Sequence, residues 1–183
     1  MRRGFKAEAE RLATQVRTEI GIGPYKPLDI NALASHVGAQ LRAADELTSL
    51  TKLQELEELQ PGAFSACTFD FGARKVIVIS PLASAERQRS DASHEASHLL
   101  LEHNVKEIEQ LGGFSFFTCD PDEEQEANWL AGCLLLPRDL LTRSLKRGLD
   151  AEAIAEANAV SLQMANFRLR ATGAERQAGA WRR

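Results

Sequence analysis

The run His94-Glu95-Ala96-Ser97-His98 places the tightest constraint on this chain. Residues four apart on an α-helix lie one above the other on a single face, so the pattern asks for a helix that aims two imidazoles at one point. Neutral imidazole is a common zinc ligand, and two of them fill two corners of a tetrahedron. Glu95 stands beside His94, where its carboxylate can take a proton from water activated at that point. Three matching residues in a window of five also arise by chance on a solvated helix, so the surroundings decide. Ala92, Ala96, Leu99, Leu100 and Leu101 give this helix an apolar face, and neither Gly nor Pro occurs between Pro81 and Gly112. Just upstream, Lys75-Val76-Ile77-Val78-Ile79 is short, β-branched and closed by Ser80-Pro81, which reads as a buried strand. A strand feeding a histidine-bearing helix is the setting that a buried metal site needs.

The third ligand has to come from elsewhere, because a catalytic zinc site takes three protein ligands and leaves one position open. Asp120-Pro121-Asp122-Glu123 is a strong helix start, with Asp at the N-cap and Pro at the first turn. The helix it opens offers Glu123, Glu124 and Glu126. Its apolar face is marked by Ala127, Leu130, Ala131, Leu134 and Leu135, and Glu124, three residues before Ala127 and seven before Ala131, shares it. Glu126 is about 200° around from Glu124, at about 100° per residue, and is expected to face solvent. Asn128, four after Glu124, is on its side and is expected to accept a hydrogen bond from a ligand histidine. On the helix alone, Glu124 equally suits an ordinary first-turn carboxylate held by the helix dipole; the two-histidine helix upstream favours the ligand role. His103 follows His98 too closely, and without the intervening Gly, for the longer three-histidine spacing. No residue declares itself as the oxyanion partner; Tyr25, His36, His103 and Arg168 are the candidates.

The rest of the chain reads as a mostly helical α+β protein. Its 183 residues suit one domain with a small appendage, and 44% hydrophobic with 26% charged residues is an ordinary globular composition. A net charge of −4 argues against a broad nucleic-acid face. No apolar run approaches the roughly 20 residues that span a bilayer, and the charged N-terminus lacks a signal-peptide core. Three cysteines, an odd number without tight spacing, suit a reducing compartment. A cytoplasmic protein without a membrane partner is expected.

Periodicity predicts helices over 6–20, 30–37 with Asp29 as cap, 47–60 with an acidic solvated face, 84–103 with Ser84 as cap, 122–136 and 137–146. A short strand is expected at 39–42, and an antiparallel pair at 63–71 and 75–79, making a small antiparallel sheet. Residues 114–117 read as strand or loop. Two short helices, helix-turn-helix-like, are expected over 151–171. The organisation predicted is a main domain over 1–148, a helical appendage over 149–173 and a flexible tail over 174–183.

His94-Glu95-x-x-His98-Leu-Leu-Leu paired with Glu124-x-Glu126-Ala127-Asn128-x-x-Ala131-x-x-Leu134-Leu135-Leu136-Pro137 resembles the ImmA/IrrE family of metallopeptidases. So do Pro27-x-Asp29-Ile30-x-x-Leu33-Ala34 near the start, and Ile154-Ala155, Val160-Ser161 and Phe167-Arg168-Leu169 near the end. The resemblance implies a zincin-like, minimal gluzincin fold. It implies one Zn2+ per chain, with Mn2+ possible in its place, held by His94, His98 and Glu124, and Glu95 as the base; Glu126 is not a ligand in that pattern. It further implies a cytoplasmic endopeptidase that cuts one protein partner, typically a helix-turn-helix repressor, and so switches on genes of a mobile element or a stress response. Two positions depart from the family habit: Leu130 stands where Phe is usual, and Gly132 where Ala is commoner.

Three other readings compete. Cys67, Cys119 or Cys133 would be the third ligand in a deformylase-like site, although each suits a small buried hydrophobe better. The same ligands would serve a metal-binding scaffold without catalysis. A DNA-binding regulator would use 151–171, with Arg168 and Arg170 on phosphate; Glu152, Glu156 and the acidic balance oppose it, so no direct DNA binding is expected.

Overall fold

The computed structural model describes residues 1–71, 74–103, 108–111, 114–117 and 120–176. In chain order the elements are α1 (Phe5–Glu19), α2 (Ile30–His36), β1 (Ala39–Ala43), a 3-10 turn (Ala44–Glu46), α3 (Leu50–Leu59), β2 (Ala66–Asp70), β3 (Lys75–Ile79), α4 (Ala85–Leu100), β4 (Ile108–Leu111), β5 (Phe114–Phe117), α5 (Pro121–Leu135), α6 (Arg138–Lys146), α7 (Ala151–Asn158) and α8 (Leu162–Thr172). The helix starts follow local chemistry. Asp29, Ser84 and Asp120 each accept a backbone N–H of the first turn, which satisfies donors that have no partner inside the helix.

The sheet differs from the antiparallel one expected. Its order is β1-β3-β2, with β2 antiparallel and β1 parallel to the central β3. Parallel pairing needs a crossover, and here the 3-10 turn, α3 and β2 supply it. Successive side chains of β3 face opposite ways. Ile77 enters the main core with α1, α2, α4 and α5, while Val76 and Val78 join Leu53 of α3 in a small second cluster. β4 and β5 form a separate antiparallel pair.

The centre of the molecule is α5, packed against α4, α1 and α8. From Leu130 to Leu135 every side of this helix is buried, so it is a central helix and not an amphipathic surface one. The helices α7 and α8, with the turn between them, put Ile154, Ala155, Val160, Ala165 and Leu169 into the same core. Ala174, expected in the flexible tail, is buried with them at 1% exposure; residues 177–183 lie outside the described residues.

Two buried arginines brace α5. Arg17 donates to the carbonyls of Leu134 (2.7 Å), Gly23 and Lys26. Arg168 donates from Nε to the Leu136 carbonyl (3.1 Å) and from Nη2 to Glu10 Oε1 (2.6 Å). It lies across Gly132, where a Cβ would stand 2.9 Å from Arg168 Cδ. That contact explains why Gly occupies a position where Ala would be the better helix former. Arg168 is wholly buried and tied at two atoms, so it cannot step aside. The expected cost of Gly132→Ala is about 1–3 kcal/mol of overpacking, offset by about 1 kcal/mol of helix propensity. Urea unfolding of the variant should therefore show a net loss, and a gain in stability would contradict this packing.

Candidate metal centre

The strand–helix unit β3–α4 carries His94 and His98, and α5 crosses it with Glu124. The three residues bring one ligand atom each to within 4.8 Å of one another. His94 Nε2 and His98 Nε2 are 3.0 Å apart, and each stands 3.3 Å from an oxygen of Glu124. A tetrahedron with metal–ligand bonds of about 2.0–2.1 Å has edges of about 3.3–3.4 Å. The two His–Glu124 distances, one to each carboxylate oxygen, match that figure and the His94–His98 distance is about 0.3 Å shorter, so small side-chain adjustments bring the donor set to the spacing of a zinc-class cation.

Ion pairing alone does not account for the cluster. Burial, and secondarily the neighbouring His94, lowers the pKa of His98 to about 4, which leaves its imidazole neutral near pH 7. Neutral nitrogen is the form that ligates a metal. Two imidazoles that turn their Nε2 atoms towards each other and towards one carboxylate are arranged for a shared cation.

Glu95 lies beside this group without belonging to it. Burial raises its pKa, while the hydroxyl of Thr68, donating to Oε2 at 2.7 Å, partly opposes that rise. Thr68 sits on β2 opposite Ile77 of β3, on the face turned to α4. No sequence signal marks Thr68, because its role depends on pairing β2 with β3 in this register.

Two expectations about α5 are corrected. Glu126 does not face solvent: it is 4% exposed, held by the backbone N–H of Arg2 (2.7 Å) and by Arg2 Nε (3.0 Å to Oε2). The cause is that α1 and the segment before it cover the side of α5 that a one-faced helix would leave wet. Asn128 is exposed and does not support a ligand histidine. His94 Nδ1 is buried without a partner among the described residues, and His98 Nδ1 is 3.1 Å from His103 Nδ1. Sequence spacing put Asn128 on the side of Glu124, but neither histidine Nδ1 is hydrogen-bonded to it.

The other candidates are placed elsewhere. Tyr25 stacks under Arg143, His36 pairs with Glu19, and Arg168 is buried against α5. Cys67 and Cys133 have their thiols pushed up to about 11 and about 12, in both cases chiefly by burial, which disfavours the thiolate a metal needs. Cys119 lies outside the described residues. Among the described residues, no helix is long and apolar enough to cross a membrane.

Over residues 55–170 the chain matches the family model Peptidase M78, the IrrE N-terminal-like domain. Among solved structures it is similar to a Mycobacterium tuberculosis transcriptional regulator, with a TM-score of 0.57 and 15% identity. That match covers 89% of this chain and 46% of the other, so this chain spans less than half of that protein's length. At such identity the likeness speaks for the fold alone. No curated protein matches the chain.

Proposed function

The chain belongs to the M78 peptidase family of IrrE N-terminal-like domains, and from that premise we propose that it is a zinc-dependent endopeptidase. The observation that carries the reading is the His94–His98–Glu124 triangle with Glu95 buried beside it. A zinc ion held there supplies positive charge that polarises a peptide carbonyl and acidifies water; manganese offers the same charge. Glu95 moves the proton. Thr68 occupies its Oε2 and leaves Oε1 to take a proton from water and return it to the leaving amine. The raised proton affinity that burial gives Glu95 suits this two-way task.

Substrate approach is consistent with an internal peptide segment. Among the described residues β2 pairs only with β3, which leaves its other edge open to an extended chain next to Thr68 and Glu95. An open edge does not require a chain end, which favours an endopeptidase. The partner in this reading is a helix-turn-helix repressor in the cytoplasm, whose cleavage derepresses genes of a mobile element or a stress response. A link to transcription, the role for which the similar mycobacterial protein is named, enters here through the substrate and not through DNA. Arg168, one of the two α7–α8 arginines available for phosphate, is fully buried.

The test is to incubate the purified zinc-loaded protein with each helix-turn-helix repressor encoded beside its gene. One of them should be cut at a single site, with the cut abolished by a chelator and restored by zinc. Repressors that all stay intact would refute this substrate assignment.

A further inference from the structure

Helix α4 ends in an unusual way for its sequence. The N–H of His103 donates to the carbonyl of His98 (3.0 Å), and the N–H of Glu102 donates to that of Leu99 (3.3 Å). This pair of bonds is a Schellman cap, which needs a left-handed residue and ordinarily takes Gly there. Here Glu102 adopts φ 52° in that position. The strained turn folds His103 back over the last turn of the helix. Its ring meets the ring of His98 edge-on at 5.1 Å, with the two Nδ1 atoms 3.1 Å apart. The His103 side chain is 8% exposed, and its Nε2 stands 3.9 Å from Oε2 of the buried Glu126. Glu126 is fixed in turn by Arg2 through its backbone N–H and Nε.

We propose that His103 and Glu126 are positioning residues for the metal ligand His98. The inference rests on the metal reading of His94, His98 and Glu124. A ligating Nε2 carries no proton, so the proton of neutral His98 sits on Nδ1. His98 Nδ1–H then donates to His103 Nδ1, which accepts. With His103 Nδ1 as the acceptor, the ring proton of His103 is on Nε2, the atom that faces Glu126. Each tautomer follows from the one before it, and the last N–H is aimed at a carboxylate that Arg2 holds in place 3.9 Å away, a charge contact longer than a direct hydrogen bond. Such an outer partner fixes the plane of the ligand ring and raises its basicity. Arg2 thereby ties the segment before α1 to the metal centre through α5. Glu126, buried under the segment before α1, stands on the far side of His103 from the metal centre. The strained turn at Glu102 is what brings His103 into reach.

The experiment measures zinc affinity by competition with a chromophoric chelator for the wild type, His103→Ala and His103→Asn. It adds histidine 15N NMR of the zinc-loaded wild type. His103→Ala should bind zinc about 10–100-fold more weakly. His103→Asn, whose side-chain oxygen can accept from His98 near the position of the lost Nδ1, should recover most of that loss. A role confined to capping α4 would not distinguish the two variants in this way. The NMR spectrum should show His98 protonated at Nδ1 and His103 at Nε2. Equal zinc affinity of His103→Ala and the wild type overturns the proposal, as does a His103 protonated at Nδ1; the latter result is read on the wild type and does not depend on a variant folding. A wild type that binds no zinc would instead overturn the metal reading itself, and this inference with it.

Discussion

Replacing Glu95 with Gln should leave zinc bound and lower cleavage by about 10²–10⁴-fold, the range that a positioned general acid–base contributes. The substitution keeps the shape of the side chain and its acceptor for the Thr68 hydroxyl, which donates to Oε2 at 2.7 Å. It removes the carboxylate beside the triangle that is placed to carry a proton to and fro. Glu95 supplies no ligand atom to the His94–His98–Glu124 group, so the zinc content per chain should not change. Stability should hold or rise, because burial already opposes the charge on Glu95 and Gln carries none. Zinc analysis, thermal unfolding and a cleavage assay on one preparation separate these effects. A variant that is folded, loaded with zinc and still cleaves at the wild-type rate would contradict the role of Glu95.

Replacing Glu124 with Ala should have the opposite signature, with loss of the metal and little effect on the metal-free fold. Glu124 is the only carboxylate in the triangle, and both imidazoles stand 3.3 Å from it. Its removal leaves two ligands, short of the three that hold a catalytic zinc. Affinity should therefore fall by more than the roughly 10–100-fold that loss of an outer partner costs. The Glu124 side chain is 37% exposed, so Ala leaves no buried charge unpaired and no large cavity. Glu126→Ala is not a neutral control for this experiment. It strips a buried carboxylate from Arg2 and should cost stability. The informative comparison is the ratio of zinc affinities, with Glu124→Ala the weaker binder. Wild-type zinc affinity in Glu124→Ala would contradict the assignment of the third ligand.

The features legible in the sequence are those set within a few residues. Asp29, Ser84 and Asp120 cap helices because capping chemistry acts over one turn. The geometry that brings His94 and His98 together is likewise local, and it is the two-histidine helix upstream that singles out Glu124, which its own helix leaves equally suited to an ordinary first-turn carboxylate. What is not legible depends on distant packing. The parallel pairing of β1 with β3 leaves no mark in either strand, since the alternating Ala39-Gln40-Leu41-Arg42-Ala43 and the apolar run Val76–Ile79 suit either direction of pairing. Glu126 is misplaced by the assumption of a helix with one apolar face, although the run from Leu130 to Leu136 is apolar on every side apart from Gly132. Spacing four residues after Glu124 places Asn128 near the histidines, yet it is exposed and bonds to neither of them. His103 gives no signal for its position because its Schellman cap uses Glu102, without the Gly that would announce the turn. Gly132, conversely, looks like a weak helix residue until Arg168 is found lying across it.

The central claim is that His94, His98 and Glu124 share one metal ion. The most direct measurement is anomalous X-ray diffraction on both sides of the zinc absorption edge, from crystals of the wild-type protein grown with zinc. The account predicts one strong peak per chain, about 2.0–2.2 Å from His94 Nε2, His98 Nε2 and a carboxylate oxygen of Glu124. A well-ordered crystal with these three side chains in place and no peak between them would contradict it.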